Sequence, residues 1–267
     1  MLSKWLLQYI SEHKYYVEPF GGAASLLFAK VPAQAEVYND IDSGLVNLFR
    51  VIRDYRTFHE FNRRVQLTPY SREEYLSCRA NWKDQACDIE KARMFFVVAR
   101  QCFGGCFGMG WKAGNSAVSR GMLSTVSAWL SAVSELPKIH QRLQGVQIEN
   151  MEWKKLLKTY ASPDYLAYVD PPYLCNTQVW KAGYVSKMDE AGHAELVEAL
   201  LSYPGRVMLS CYDHAVYEPL ESDGWEKYTR KTRVKTANVG RGKNRQAPES
   251  AINPELQARI ECLYVRA

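Results

Sequence analysis

The fold of this chain is constrained most by the way its strands arrive in two instalments. The short run Tyr16-Val17-Glu18 passes into Pro19-Phe20-Gly21-Gly22, a helix is predicted over Ala24 to Lys30, and a second strand, Glu36-Val37-Tyr38-Asn39, ends on Asp40. A strand, a glycine turn, a helix and a second strand closed by an acid form one nucleotide-binding half of a Rossmann-like, doubly wound α/β sheet. A helix over Leu45 to Asp54 follows, with Leu45, Phe49 and Ile52 on one face. Strand character then vanishes until Val146-Gln147-Ile148 and Leu166-Ala167-Tyr168-Val169. A helix over Asp189 to Leu201 precedes the strand Val207-Met208-Leu209-Ser210. The pattern predicts one α/β domain, residues 1–55 and 144–267, carrying an inserted helical lobe over 56–143.

Within the lobe, Ser71-Arg72-Glu73-Glu74 has capping-box spacing, and Ile89 to Phe103 reads as a long helix. That helix runs into Gly104-Gly105-Cys106-Phe107-Gly108-Met109-Gly110-Trp111, where four glycines in seven residues demand a loop. Thr125 to Leu136 reads as a further helix stopped by Pro137, and Leu2, Leu6, Leu7 and Ile10 place a helix at the start of the chain.

Composition excludes several classes. Hydrophobic residues at 47% and charged residues at 24% rule out a disordered chain. No apolar run approaches the ~18 residues of a membrane span, and no cleavable leader is evident. Seven scattered cysteines argue against a disulfide framework and for a reducing cytosol. Cys102 and Cys106 have no second pair to complete a metal site, and the five histidines show no ligand spacing, so no metal is expected. The net charge of +5 is uneven: residues 227–245 hold eight Lys or Arg and no acid, and the stretch from Arg50 to Arg120 is rich in arginine. Such surfaces suit a polyanion.

The sharpest chemical signal is Asp170-Pro171-Pro172-Tyr173 at the end of an apolar strand. By composition this tetrapeptide arises by chance in roughly one chain per thousand of this length. Strand carboxyl ends are where open α/β sheets place ligand chemistry. An exocyclic amine on a nucleobase is a poor nucleophile because its lone pair is delocalised into the ring. Two acceptors aimed at its N–H bonds draw that pair out of conjugation. The Asp170 carboxylate and the Pro171 carbonyl provide such a pair, the two proline rings stiffen it in advance, and Tyr173 offers a face for stacking. A base inside a duplex must first be rotated out of the helix.

The second signal is the loop from Glu18 through Gly22, whose small residues allow close approach of a ligand, with Asp40 placed to accept both ribose hydroxyls of an adenosine-type cofactor. The pattern alone also suits a nicotinamide dinucleotide. The missing third, helix-opening glycine tilts it towards S-adenosylmethionine.

YVEPFGGAASLLF, VYNDID and YVDPPY, in that order, together with ARMFFVVARQCFGG, RLQGVQIEN, VMLSCYDHAVY and APESAINP, resemble the Dam-type, D12 class of DNA adenine-N6 methyltransferases in the alpha motif order. The resemblance covers nearly the whole chain. It implies a methyltransferase sheet with residues 56–143 as the target-recognition lobe, S-adenosyl-L-methionine as methyl donor, and adenine N6 of double-stranded DNA as acceptor. Glu18, Pro19, Phe20, Gly21, Gly22 and Asp40 would line the cofactor pocket, with Glu152 where many relatives carry an aspartate. Asp170, Pro171, Pro172 and Tyr173 would be catalytic. DNA contacts are expected from Arg100, Phe107, Trp111, Lys112 and Arg120 in the lobe, with Phe107 or Trp111 as a wedge, and from Lys231, Arg233, Lys235, Arg241 and Lys243 in a basic loop. A monomeric bacterial or phage protein, cytoplasmic and nucleoid-associated, is expected.

Relatives usually open with Trp-x-Gly-Gly-Lys over the methionine end of the cofactor. Here Met1-Leu2-Ser3-Lys4-Trp5 resembles the helix just after it, so the expectation is either an internal start or an incomplete cofactor wall. Two alternatives follow: methylation of another amine (cytosine N4, RNA adenine or a protein glutamine), and a methylase-derived protein that binds DNA with weak or no catalysis.

Overall fold

A computed structural model describes residues 2–174, 188–233 and 258–266. In chain order the elements are α1 (Leu2–Leu6), β1 (Tyr15–Glu18), β2 (Ala35–Asn39), α2 (Ser43–Arg53), α3 (Tyr55–Gln66), α4 (Arg72–Asn81), α5 (Asp88–Gln101), β3 (Val118–Ser119), β4 (Met122–Leu123), α6 (Ser124–Ser134), α7 (Leu136–Leu143), β5 (Val146–Glu149), α8 (Trp153–Thr159), β6 (Tyr165–Val169), α9 (Glu190–Leu201), β7 (Arg206–Tyr212), α10 (Glu218–Ser222), β8 (Glu226–Arg233) and β9 (Ala258–Arg266).

Seven strands form one sheet in the order β5-β2-β1-β6-β7-β9-β8, parallel from β5 to β7, with β9 antiparallel to both neighbours. The winding direction reverses between β1 and β6, and a ligand crevice opens at such a switch point. Residues i and i+2 along a strand share a face. Tyr16, Tyr38, Leu166, Tyr168 and Met208 therefore pack on one side, against α2 and the helices of the inserted segment, in one continuous buried cluster that also takes in Phe58, Phe61, Phe95 and Trp129. Val17, Val37, Ala167, Val169, Val207 and Leu209 face the other way, onto Leu156 and Leu157 of α8 and Leu196, Val197 and Leu200 of α9.

A buried ion cluster ties the two parts together. Glu36 of β2 accepts from Lys30 at 2.6 Å, from Arg142 of α7 and from the Ala33 N–H, while Arg142 also donates to the Leu27 carbonyl. Burial raises the carboxyl pKa, but Arg142 and Lys30 outweigh it and hold Glu36 below its ordinary value. Lys30 has the single carboxylate as counter-ion, and there burial wins and lowers its pKa.

Several local expectations are corrected. Residues 24–30 form a run of turns rather than a helix. Ala24 takes φ +52°, and the Leu27 N–H donates to the Glu18 carboxylate at 2.9 Å instead of to a carbonyl one helical turn back. Ser71 precedes α4 without making a side-chain cap, and Glu74, whose carboxylate would close the capping box, is held instead by Arg93 at 2.6 Å. Pro137 sits in the first turn of α7 and opens it. The inserted segment also carries a two-stranded hairpin, β3–β4. Lys231 and Arg233 belong to β8, not to a loop. Lys235, Arg241 and Lys243 lie outside the described residues. Among the described residues no helix is long and apolar enough to cross a membrane, and no cluster of metal-ligating side chains occurs.

Candidate active site

The carboxyl ends of β1, β2, β5 and β6 make one rim, organised by Asn39. Its side-chain N–H donates to the Pro19 carbonyl at 2.8 Å and to the Met151 carbonyl at 3.0 Å, and its Oδ1 accepts from the Met151 N–H at 2.9 Å. Asn150 adds a bond to the Asp40 carbonyl at 2.7 Å. One buried amide thus fixes the loops after three strands. Local sequence carries no signal for this role, because the partners of Asn39 lie far along the chain at Pro19 and Met151.

The glycine loop is shaped from β2. Tyr38, fully buried against Phe49, donates to the Gly22 carbonyl at 2.8 Å, and a Cβ on Gly21 would lie 2.1 Å from its ring. Gly22 has φ +48° with open space where a side chain would be. Its N–H donates to Asp40 Oδ2 at 2.9 Å, while Oδ1 accepts from Asp42 N–H at 2.8 Å. Each oxygen keeps lone-pair capacity for a further donor. Because the Tyr38 ring is hemmed in, Gly21→Ala must displace it and with it the loop. Overpacking of this kind costs about 1–3 kcal/mol, so affinity for an adenosine-type ligand is expected to fall roughly tenfold or more. Titration calorimetry checks this, and an unchanged affinity would contradict the assigned role of the loop.

Glu18 ends β1 with its carboxyl buried, accepting from the Tyr16 hydroxyl at 2.7 Å and the Leu27 N–H. Burial pushes its pKa up to about 8, and the charge of Asp170 adds to the rise. Glu18 is therefore the neutral acid at pH 7. Its folded-state pKa exceeds the ordinary value of 4.5, so its contribution to stability is full in acid and is lost as pH rises through about 8. Glu18→Gln keeps the acceptor oxygen and cannot ionise. The variant is expected to lack the decline in melting temperature that the wild type shows as pH rises from about 4.5 to about 8, and parallel curves for the two proteins would refute the assignment.

Asp170 follows β6 across the switch point from Glu18, largely buried, with its pKa pushed up to about 6 by burial and pulled back by the hydroxyls of Tyr173 and Tyr168. The Tyr173 hydroxyl shares a 2.7 Å hydrogen bond with Ser210 of β7, and its ring meets Tyr212 edge-on at 4.5 Å. The Pro172 carbonyl accepts from His193 Nε2 at 3.0 Å. Ser210, Tyr168 and His193 were not singled out from sequence. The first two follow from strand alternation once β6 and β7 are paired, whereas His193 needs the packing of α9.

The remaining candidates separate. Phe20 faces Trp153, with centroids 6.1 Å apart, beside the rim. Glu152 is at the same end of the sheet, but its carboxylate caps α8 through the Lys154 N–H at 3.0 Å. In the helical segment, Arg100 and Lys112 are exposed. Phe107 is packed on Phe95 at 4.5 Å and Trp82 at 5.8 Å. Trp111 donates to Gln101 at 3.3 Å and lies under the Arg72 guanidinium. Arg120 stands in the turn of the β3–β4 hairpin with φ +54°, its guanidinium bent back onto Ser127 and Ser131 of α6. Lys231 is exposed on β8.

A Type II methyltransferase, M1.LlaDCHI of Lactococcus lactis subsp. cremoris, is 25% identical over 191 residues, 63% of this chain and 60% of its own, so the chain matches less than two thirds of that relative's length. Two solved structures align with it: SMU.1697c of Streptococcus mutans in complex with SAH (8% identity, TM-score 0.35, 99% of this chain and 96% of that one), and an rRNA methylase of Streptococcus thermophilus (9% identity, TM-score 0.36, 100% and 95%). The sequence profile of the D12 class N6 adenine-specific DNA methyltransferases matches residues 1–236, and the chain belongs to that family.

Proposed function

We propose that this chain transfers a methyl group from S-adenosyl-L-methionine to N6 of an adenine rotated out of duplex DNA. The observation that carries the reading is the adjacency of the rigid Asp170 turn and the glycine loop across the β1–β6 switch point, where β1 and β6 are hydrogen-bonded in register with Val17 opposite Ala167.

The chain's residues fit an adenosine-type cofactor. The space over Gly22 admits a ligand against backbone, Asp40 retains acceptor capacity for ribose hydroxyls, and Phe20 and Trp153 offer apolar rings at the rim. When bound, S-adenosyl-L-methionine supplies a methyl group made electrophilic by its sulfonium. The Asp170 carboxylate and the Pro171 carbonyl would accept hydrogen bonds from the two N–H groups of the target amine and free its lone pair to attack the methyl carbon. As the N–C bond formed, the C–S electron pair would return to sulfur, leaving a neutral thioether, and the nitrogen, made acidic, would give one proton to the Asp170 carboxylate and on to water. Tyr173, with its hydroxyl shared between Ser210 and Asp170, presents its ring beside the base. Residues 56–143 are proposed as the target-recognition lobe, with Arg100 and Lys112 on its exposed surface and Lys231 on β8 available to phosphates. Phe107 and Trp111 support that lobe from within.

The test is methyl transfer from radiolabelled donor to duplex DNA, followed by nucleoside analysis. Label in N6-methyladenine supports the reading. Label in N4-methylcytosine, or tight DNA binding without transfer, would replace it by one of the alternatives.

A further inference from the structure

The conformation of the Asp170 turn depends on four backbone torsions, φ and ψ at Pro171 and at Pro172. The pyrrolidine rings lock both φ angles, and a proline that follows another restricts ψ of the first to the extended region. One torsion is left, ψ at Pro172, and it decides where the Pro172 carbonyl points.

That carbonyl is held from the other side of the sheet. His193, in the first turn of α9, is completely buried. Its Nε2 lies 3.0 Å from the Pro172 oxygen and its Nδ1 lies 2.8 Å from the Tyr217 hydroxyl, itself buried. A carbonyl oxygen only accepts, so Nε2 must carry the proton. Nδ1 then presents a lone pair, and the Tyr217 hydroxyl donates to it. Burial lowers the His193 pKa, which favours the neutral ring this arrangement requires. Asp189 caps α9 through the Gly192 N–H at 2.9 Å and so holds the turn of helix that carries the imidazole.

We propose that His193, its tautomer set by Tyr217, is a positioning residue that fixes the last free torsion of the Pro171-Pro172 turn and thereby sets the Tyr173 ring, which follows that torsion, against the acceptor pair that faces the target amine. The inference rests on the functional reading of Asp170 and Pro171 given above. A ring-shaped residue without a donor, or a helix capped one residue later, would leave the turn free to swing.

His193→Phe keeps the ring volume and removes the donor. Its single-turnover methylation rate, with cofactor and DNA saturating, is expected to fall about 10²-fold, the size associated with a misplacement of roughly 1 Å. Cofactor affinity should be unchanged, and His193→Gln, which restores an N–H donor, should recover part of the rate. In the wild-type protein, nitrogen chemical shifts of the labelled imidazole should report a proton on Nε2 and none on Nδ1. A folded His193→Phe that methylates at the wild-type rate, or one that loses cofactor affinity as steeply as rate, would overturn the proposal. So would a wild-type ring protonated on Nδ1. Should His193→Phe fail to fold, Tyr217→Phe and the chemical shifts decide. A wild-type protein inactive on every DNA would sink the functional reading instead, and the tautomer would still decide whether His193 donates to the turn.

Discussion

Asp170→Ala is expected to lower the single-turnover rate of methyl transfer by about 10³-fold, in line with the loss of one preorganised group facing a developing charge, while cofactor and DNA binding persist. The carboxylate is one of two acceptors proposed for the target amine, and the other, a backbone carbonyl, survives the change. Asp170→Asn is expected to be as damaging. Either of its amide atoms can face the amine, but the charge that polarises the N–H bonds is gone. The wild-type protein supplies an independent check. With its pKa pushed up to about 6 by burial, Asp170 gains its charge as pH rises, so the rate should climb through about pH 6 and level off above. Rapid-quench measurements with labelled methyl donor read both effects. A rate for Asp170→Ala within about tenfold of wild type would remove the carboxylate from the mechanism.

The largest effect on stability is expected from Glu36→Ala. Lys30 and Glu36 each expose 2% of their side-chain surface, and Arg142 is the second cation on the same carboxylate. Removing one partner of a buried pair leaves an uncompensated charge, which costs about 3–5 kcal/mol. Here two cations lose their counter-ion together. Denaturant unfolding followed by intrinsic fluorescence checks the loss, and a decrease below about 1 kcal/mol would show that water reaches the cluster. The pH dependence adds a sign. The Glu36 pKa is depressed in the folded protein, so its contribution is present above the ordinary carboxylate range and is lost as pH falls through the depressed value. Glu36→Gln should therefore be weaker than wild type at neutral pH and converge with it in acid.

What the sequence made legible follows from the strength of local patterns. The strands β1, β2, β5, β6 and β7 are short apolar runs bounded by turn residues, and each was placed within a residue or two. The tetrapeptide at Asp170 stands out because it is rare by composition, whereas the glycine turn is ambiguous on its own and gains meaning from the acid at Asp40 and the motifs that follow. Failures occurred where a tertiary partner outbid a local one. The Leu27 N–H goes to Glu18, so residues 24–30 do not become a helix. Glu74 goes to Arg93, so no capping box forms. β8 carries so many basic residues that it reads as a loop, and only its pairing with β9 reveals it. Asn39 and His193 act through backbone carbonyls far away in sequence, at Met151 and Pro172, and no spacing rule announces such bonds.

The single hydrophobic cluster that runs from Tyr16 and Tyr38 through Phe49 into Phe61, Phe95 and Trp129 has a consequence for how specificity can change. A segment rooted in the same interior as the catalytic sheet is not a detachable cassette. Excising residues 56–143 would bare an aromatic wall to water, and transplanting them whole from a relative would import mismatched roots. If residues 56–143 read the target as proposed, drift or engineering towards a new sequence is confined to outward-facing positions, such as those around the exposed Arg100 and Lys112, where a side chain can be exchanged without disturbing what lies beneath.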